Sequence, residues 1–445
     1  MNTPIYDFVK KYSLSDATRF HMPGHKGKDM LGCEALDITE IGGADCLYSA
    51  DGVILESENN ATELFGTAHS FYSAEGSTLT IKAMLALVTE DARARGERPL
   101  VIAARNAHKA FINACALLDI DVKWIYPTDG NHMCECLTTA SDVEKAIRGS
   151  ERAPSAVYLT SPDYLGNICD IASVSEVCKA HGTPLCVDNA HGAYLKFLSE
   201  SAHPIDLGAD IVCDSAHKTL PVLTGGAYLH VSKHATKYLD RARDYLSLFA
   251  STSPSYLILE SLDLCNKYLA EEYRGELAEF IKKFETLKAT AAELGFKVLA
   301  SEPLKLVIDA NVSGYTGTKL AELLRAKDIE SEFSDDKYLV LMATPQNTVA
   351  DIKKLALALR AIEYRTPIKR TPPKYPRAEQ VMSIRTAMLS PTETVCVADA
   401  SGRICGTPAV SCPPAVPIIV SGERVTDEVI DLLKFYGTEY IKVVK

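Results

Sequence analysis

From about residue 55 to residue 230, short apolar runs alternate with stretches whose apolar positions recur at helical spacing. ESENNATELFG reads as a helix closed by Gly66, HSFYSAEGS as a strand entering a glycine turn, and TLTIKAMLALVTEDARA as a helix. PLVIAAR, DVKWIYP and SAVYLTSP read as strands; AHKAFINACALL and SVSEVCKAHG read as helices, the second ended by glycine. PLCVDNAHG, DIVCDSAHK and GGAYLHV are apolar strands that end beside polar residues. Buried strands alternating with helices predict an α/β fold with a mostly parallel sheet covered on both faces.

The flanks are patterned differently. Residues 1–50 form an arm, with a short amphipathic helix around Pro4 to Tyr12 and a polar cluster, FHMPGHKG, at 20–27. The large domain is expected over 51–230. Residues 231–365 open with long helical stretches, continue with FKVLA, PLKLVIDA and KYLVLMA, and read as a smaller α/β domain. TPIKRTPPKYP at 366–376 has the proline content of a linker. Residues 377–445 form a small C-terminal α+β module ending in the helix TDEVIDLLKFYG.

Composition narrows the function classes. The 445 residues exceed one ordinary domain. A formal net charge of -11 argues against nucleic acid as the main partner; it suits either solubility or a cationic small molecule. The thirteen cysteines include no Cys-x-x-Cys pair, so no metal site is expected, and their place in apolar runs fits a reducing cytoplasm. The N-terminus has no apolar signal core, and no run approaches the roughly 18 apolar residues of a membrane helix. A cytoplasmic protein without a membrane partner is expected.

Chemistry concentrates at the strand ends. Lys218 in DSAHKTL follows the apolar run ADIVC, at the sheet edge where ligands bind in open parallel sheets. Its amine can form an imine with a carbonyl cofactor, although a solvated loop lysine gives the same local pattern. Asp188 ends PLCVD; there it suits a protonated ring nitrogen, or equally a helix cap. Gly76, Ser77 and Thr78 directly precede an amphipathic helix, a place for a phosphate or a plain N-cap. His108 follows PLVIAA on the same edge, free to stack on a flat ring or to serve structure alone. Together these are the parts of one cofactor site: a phosphate cup, a stacking ring, a pyridinium partner and an imine-forming lysine.

That order resembles the fold-type-I pyridoxal-phosphate (PLP) enzymes, and more closely the bacterial ornithine/lysine/arginine decarboxylase family. FHMPGHKG, DGVILESENNATELFGTAHSFYSAEGST, SAHKTLPVLTGGAYLHV, STSPSYLILESLD and GRI…CPPAVPIIVSGERVT are similar to family blocks across nearly the whole chain. It looks like the compact form, without an N-terminal response-regulator-like domain. The resemblance implies Lys218 as the Schiff-base lysine, Asp188 as partner of the pyridine nitrogen and His108 as the stacking ring. It implies Gly76, Ser77, Thr78, Ser215 and His217 around the phosphate and lysine, and Ala190 and His191 near the ring. Ser251 and Thr252 match a segment that reaches the neighbouring subunit's phosphate, which implies a homodimer or higher homo-oligomer with sites at the interface.

The implied activity is decarboxylation of arginine, lysine or ornithine to the amine, a route to polyamines, through a Schiff base and a quinonoid, with Lys218 or His217 returning the proton. Glu393 in LSPTETV is a candidate for the substrate's cationic end; His25 and Lys26 are candidates for the site's mouth. The chain departs from family patterns at Glu75, Asn189, Tyr194, Gly225–Gly226 and CPPAVP, which leaves the substrate open. Another reaction on the same scaffold, transamination or a lyase reaction, remains an alternative, as does a non-catalytic regulatory paralogue.

Overall fold

The structure is a computed structural model that describes residues 1–127, 132–370, 372–408, 410 and 414–445. Thr371 of the expected linker, and Cys412 and Pro413 of CPPAVP, lie outside the described residues. The apolar runs form strands where expected: β1 (His69–Ser73), β2 (Leu100–Ala104), β3 (Asp121–Ile125), β4 (Ala156–Thr160), β5 (Leu185–Asp188), β6 (Ile211–Asp214) and β7 (Ala227–Val231). The chain divides into two compact units, one from Met1–Ala94 with Ile171–Glu276, the other from Arg95–Asp170 with Leu277–Lys445.

In the first unit the strands lie in the order β1-β7-β6-β5. β5 and β6 run parallel, with Asp188 opposite Cys213. β7 is antiparallel to both β6 and β1, so the sheet is mixed at this edge. The Val53–Phe65 helix ends on Gly66 at φ 68, a left-handed cap that glycine adopts without strain. The expected helix over residues 78–94 is two helices, Gly76–Val88 and Glu90–Ala94. Between them the Thr89 hydroxyl donates back to the Leu85 and Ala86 carbonyls, the local competition that weakens helices at threonine. The Pro4–Ser13 helix docks its first turn on Asp263, whose Oδ2 accepts the N–H groups of Ile5 (2.9 Å) and Tyr6 (3.0 Å).

The second unit holds β4, β2 and β3, all parallel. It also holds two antiparallel sheets. One contains β8 (Lys297–Val298), β9 (Lys305–Asp309), β10 (Phe333–Ser334) and β11 (Tyr338–Met342) in the order β10-β11-β9-β8. The other contains β12 (Thr392–Cys396), β13 (Cys405–Thr407) and β14 (Tyr440–Val444) in the order β12-β14-β13. The Asp427–Phe435 helix covers the second sheet, and Val307, Val340, Ile419, Val429, Leu433 and Val443 share one apolar cluster. The proline-rich stretch is pinned: Ile368 N–H donates to Asn311 O (2.9 Å), and Tyr375 is buried. Among the described residues, no helix is long and apolar enough to cross a membrane.

Candidate active site

Lys218 reaches its place because β6 is all apolar up to Asp214 and the chain then turns into the short Ala216–Thr219 helix. Its Nζ lies 3.1 Å from His191 Nε2. His191 stands just past the end of β5, whose last residue is Asp188. Asp188 is 2% exposed, and its Oδ1 accepts the Ala190 N–H (3.2 Å) and the Cys213 thiol (3.6 Å). Burial pushes the Cys213 thiol well above its ordinary pKa, and the neighbouring Asp188 adds to this, so the sulfur keeps its proton and donates. A carboxylate, an imidazole and an amine thus sit at the C-terminal ends of two adjacent parallel strands.

His217 faces the other way. Its Nδ1 is 3.0 Å from the Gly226 carbonyl, which can only accept, so Nδ1 carries the proton. Burial lowers the His217 pKa despite that hydrogen bond, and the Lys218 charge lowers it further. The ring is therefore neutral at neutral pH, with a bare Nε2.

The Gly76–Val88 helix supplies the second half of the site. Glu75 at its N-cap makes no side-chain cap hydrogen bond, which leaves first-turn N–H groups for an outside acceptor. Gly76 has φ +69, and a Cβ added there would meet nothing within 4 Å, so the helix end opens onto a cradle. Ser77 Oγ accepts from Ser215 Oγ at 2.7 Å, which joins the helix start to the lysine turn. Gly76 N–H is fixed on the Gly225 carbonyl (2.6 Å). Thr78 is exposed in the first turn; the Ser251 N–H donates to Glu75 Oε1 (2.6 Å), and Thr252 is exposed beside it.

Behind these residues lies a group that sequence reading passed over. Asp214 Oδ2 accepts from His203 Nε2 (3.0 Å) and His230 Nε2 (3.1 Å), and its Oδ1 accepts from Asn189 Nδ2 (2.6 Å). Against the cost of burial, the two histidines hold the Asp214 carboxyl well below the usual carboxylate range. The three side chains have the proximity of a metal site. However, His203 Nδ1 accepts the Ile205 N–H (3.3 Å), so the proton is on Nε2, which donates rather than ligates. Asn189, one of the departures noted above, thereby completes a buried hydrogen-bonded anion directly behind Asp188.

The remaining candidates are held within their own units. In the second unit, His108 is the N-cap of the Lys109–Leu118 helix, its Nδ1 accepting the Ala110 N–H (3.1 Å). Glu393 lies on exposed β12 and pairs with Arg403 at 2.6 Å. In the first unit, His25 bonds Asp37 (3.1 Å) and Gly27 N–H (3.0 Å), while Lys26 Nζ donates to His21 O (2.5 Å). Both are engaged within the N-terminal arm.

The donor set fits PLP. Hydroxyls and free N–H groups at an open helix end suit a phosphate, a buried carboxylate suits a pyridinium, and a half-buried lysine suits an aldehyde. Comparison with known proteins agrees. Residues 3–306 match the family profile described as "Orn/Lys/Arg decarboxylase, major domain", and residues 373–440 match "Orn/Lys/Arg decarboxylase, C-terminal domain". The chain is 31% identical to the Bacillus subtilis protein named "Uncharacterized protein YaaO", over 97% of this chain and 94% of that one. It is also 31% identical to a Bacillus subtilis arginine decarboxylase, over 96% and 92%. The solved lysine decarboxylase LdcF of Francisella novicida superposes with TM-score 0.79 at 15% identity, covering 100% of this chain and 81% of that one.

Proposed function

The chain belongs to the Orn/Lys/Arg decarboxylase family and is a PLP-dependent decarboxylase; on that premise we propose that arginine is its substrate and that Lys218 is the lysine that holds the cofactor. The observation that carries the site reading is the pairing of Lys218 with His191 and Asp188 at the ends of β5 and β6. Arginine is favoured over lysine and ornithine by the arginine decarboxylase relative, which matches nearly end to end. The likeness to lysine decarboxylases, at 15% identity, speaks for the fold alone.

When bound, PLP supplies a protonated pyridine ring that takes up the electron pair left as the Cα–carboxylate bond breaks. Asp188, buried and unable to relax away, keeps that ring nitrogen protonated. Ser77 and Ser215 hydroxyls with the N–H groups after Gly76 hold the phosphate, joined by Ser251 and Thr252 of a neighbouring subunit. His108 would be the residue that holds the ring's face, with Ala190 as a further lining residue.

Lys218 would be the residue that holds the cofactor, through its amine Nζ, and the one that would return a proton to Cα. Lys218 is preferred to His217 as that donor, because the His217 Nδ1 proton faces Gly226 O. His191 Nε2 steadies the Lys218 amine between the two tasks. Glu393, spent on Arg403, is not carried into the substrate site. We assign the enzyme to the cytoplasm, in keeping with the cysteines among the described residues, which are free and mostly buried.

The test is CO2 release by the PLP-loaded protein from arginine, lysine and ornithine in parallel. Release from arginine at the highest kcat/KM supports the proposal. Release from lysine or ornithine instead overturns the substrate; none from any of the three overturns the activity.

A further inference from the structure

The C-terminal module grips the turn that carries His108. Arg105 stands at the end of β2, and its guanidinium donates to Pro417 O (3.0 Å), Ile418 O (2.9 Å) and Glu423 Oε2 (3.1 Å). Both charged side chains are only 2% exposed. The same Glu423 oxygen accepts the Val420 N–H at 2.7 Å, so one carboxylate neutralises Arg105 and shapes the segment that surrounds it. The guanidinium also lies over the rings of Trp124 (5.0 Å) and Tyr375 (5.6 Å).

The grip continues past His108. Lys109 N–H donates to Ala415 O (2.8 Å), and Ala415 holds φ 54, a left-handed conformation that alanine keeps only when its surroundings enforce it. His108 therefore sits between Arg105, tied through its guanidinium, and Lys109, tied through its backbone N–H, both to residues 415–423. At the far end of the same helix, Arg385 donates to Leu117 O (2.9 Å). With Nδ1 occupied by the Ala110 N–H, the His108 ring has little freedom except as a body with this helix.

We infer that Arg105 and Glu423 are positioning residues for the decarboxylation: their buried pair sets where the His108 ring lies and so how the cofactor ring is held. The inference rests on the reading of His108 as the ring that lies on the cofactor. It gives the C-terminal block GRI…CPPAVPIIVSGERVT a part in cofactor binding without contact with the cofactor. A fully desolvated pair suits such a part, because loss of one partner leaves a buried charge that the segment must move to satisfy.

The experiment is a four-protein cycle in the full chain: wild type, Glu423→Gln, His108→Ala and the double variant. Each is measured for PLP affinity of the apoprotein and for kcat and KM. If Glu423 acts through His108, E423Q weakens PLP binding and lowers kcat by about tenfold or more in the wild-type background. In the H108A background the same change costs less than about twofold, because there is no ring left to misplace. Equal losses in both backgrounds overturn the inference and reduce the pair to a structural tie. Should E423Q not fold, the volume-matched pair Arg105→Met with Glu423→Leu removes both charges together, and the same cycle is read with it. Wild type distinguishes the two claims: binding and turnover with additive losses sinks the inference alone, whereas no PLP binding by wild type sinks the reading beneath it.

Discussion

Lys218 and His217 are chain neighbours with opposite proton chemistry. Lys218 presents an amine to His191, while His217 spends its proton on a backbone carbonyl. Lys218→Ala is expected to lower kcat by about 10³-fold or more, since on the proposed reading it removes both the cofactor's attachment and the proton donor. His217→Ala loses an anchor of the turn but no donor and is expected to cost at least tenfold less, roughly, than K218A; steady-state rates of the two variants decide it. That Asp188 ends a strand and Lys218 follows one was legible in the sequence, because each comes after an apolar run, a local signal. The Asp214 group was not. His203 and His230 lie 11 and 16 residues from Asp214 and come to it from a loop and from β7, which only the fold brings together.

At the scale of elements, the turn between the lysine helix and β7 depends on glycine. Gly225 has φ +105, and a Cβ there would lie 2.9 Å from the Ala74 carbonyl oxygen. Its own carbonyl holds the Gly76 N–H at the start of the phosphate helix. Gly225→Ala is therefore expected to weaken PLP binding while leaving most of the fold intact, measured as PLP affinity beside the circular-dichroism melt. The Tyr256–Glu271 helix carries a different liability. Glu260 is buried with Oε1 unpartnered, and burial, with Asp263 and Asp37 adding, pushes its pKa from 4.5 up to about 8. A raised acid favours the folded state fully below its unfolded pKa and loses that contribution as pH rises through the folded value. Glu260→Gln should then melt above wild type near about pH 9 and lose that advantage near about pH 5. Thermal melts at the two pH values check the sign.

The apolar pattern predicted which segments become strands here but not their direction. β1 and β7 are as buried as the parallel strands, yet pair antiparallel. The strands of the C-terminal α+β module could not be placed along the sequence, for another reason. β12 in particular is mostly exposed and has no apolar alternation to read.

At the scale of the whole molecule, the N-terminal arm is unusual. Phe20 is 94% exposed, Met30 85% and Leu31 88%, within a segment otherwise held by Arg19, Glu34 and Asp37. We propose that a second copy of the chain covers these side chains, as would suit the proposed homodimer in which Ser251 and Thr252 would serve the partner subunit's site. The double variant Phe20→Asp with Leu31→Asp is expected to shift light scattering from dimer to monomer and to lower PLP affinity with it. The arm's motif was legible as a polar cluster, but its exposed apolar face was not, because nothing in the sequence says which apolar residues find a partner within the chain.

The central claim is that Lys218 holds the cofactor, and chemical trapping tests it most directly. The PLP-loaded protein is reduced with borohydride, digested, and its peptides are sequenced by mass spectrometry. The account predicts the reduced phosphopyridoxyl group on Lys218, and its disappearance in Lys218→Ala. The group on any other lysine, or on none, would contradict it.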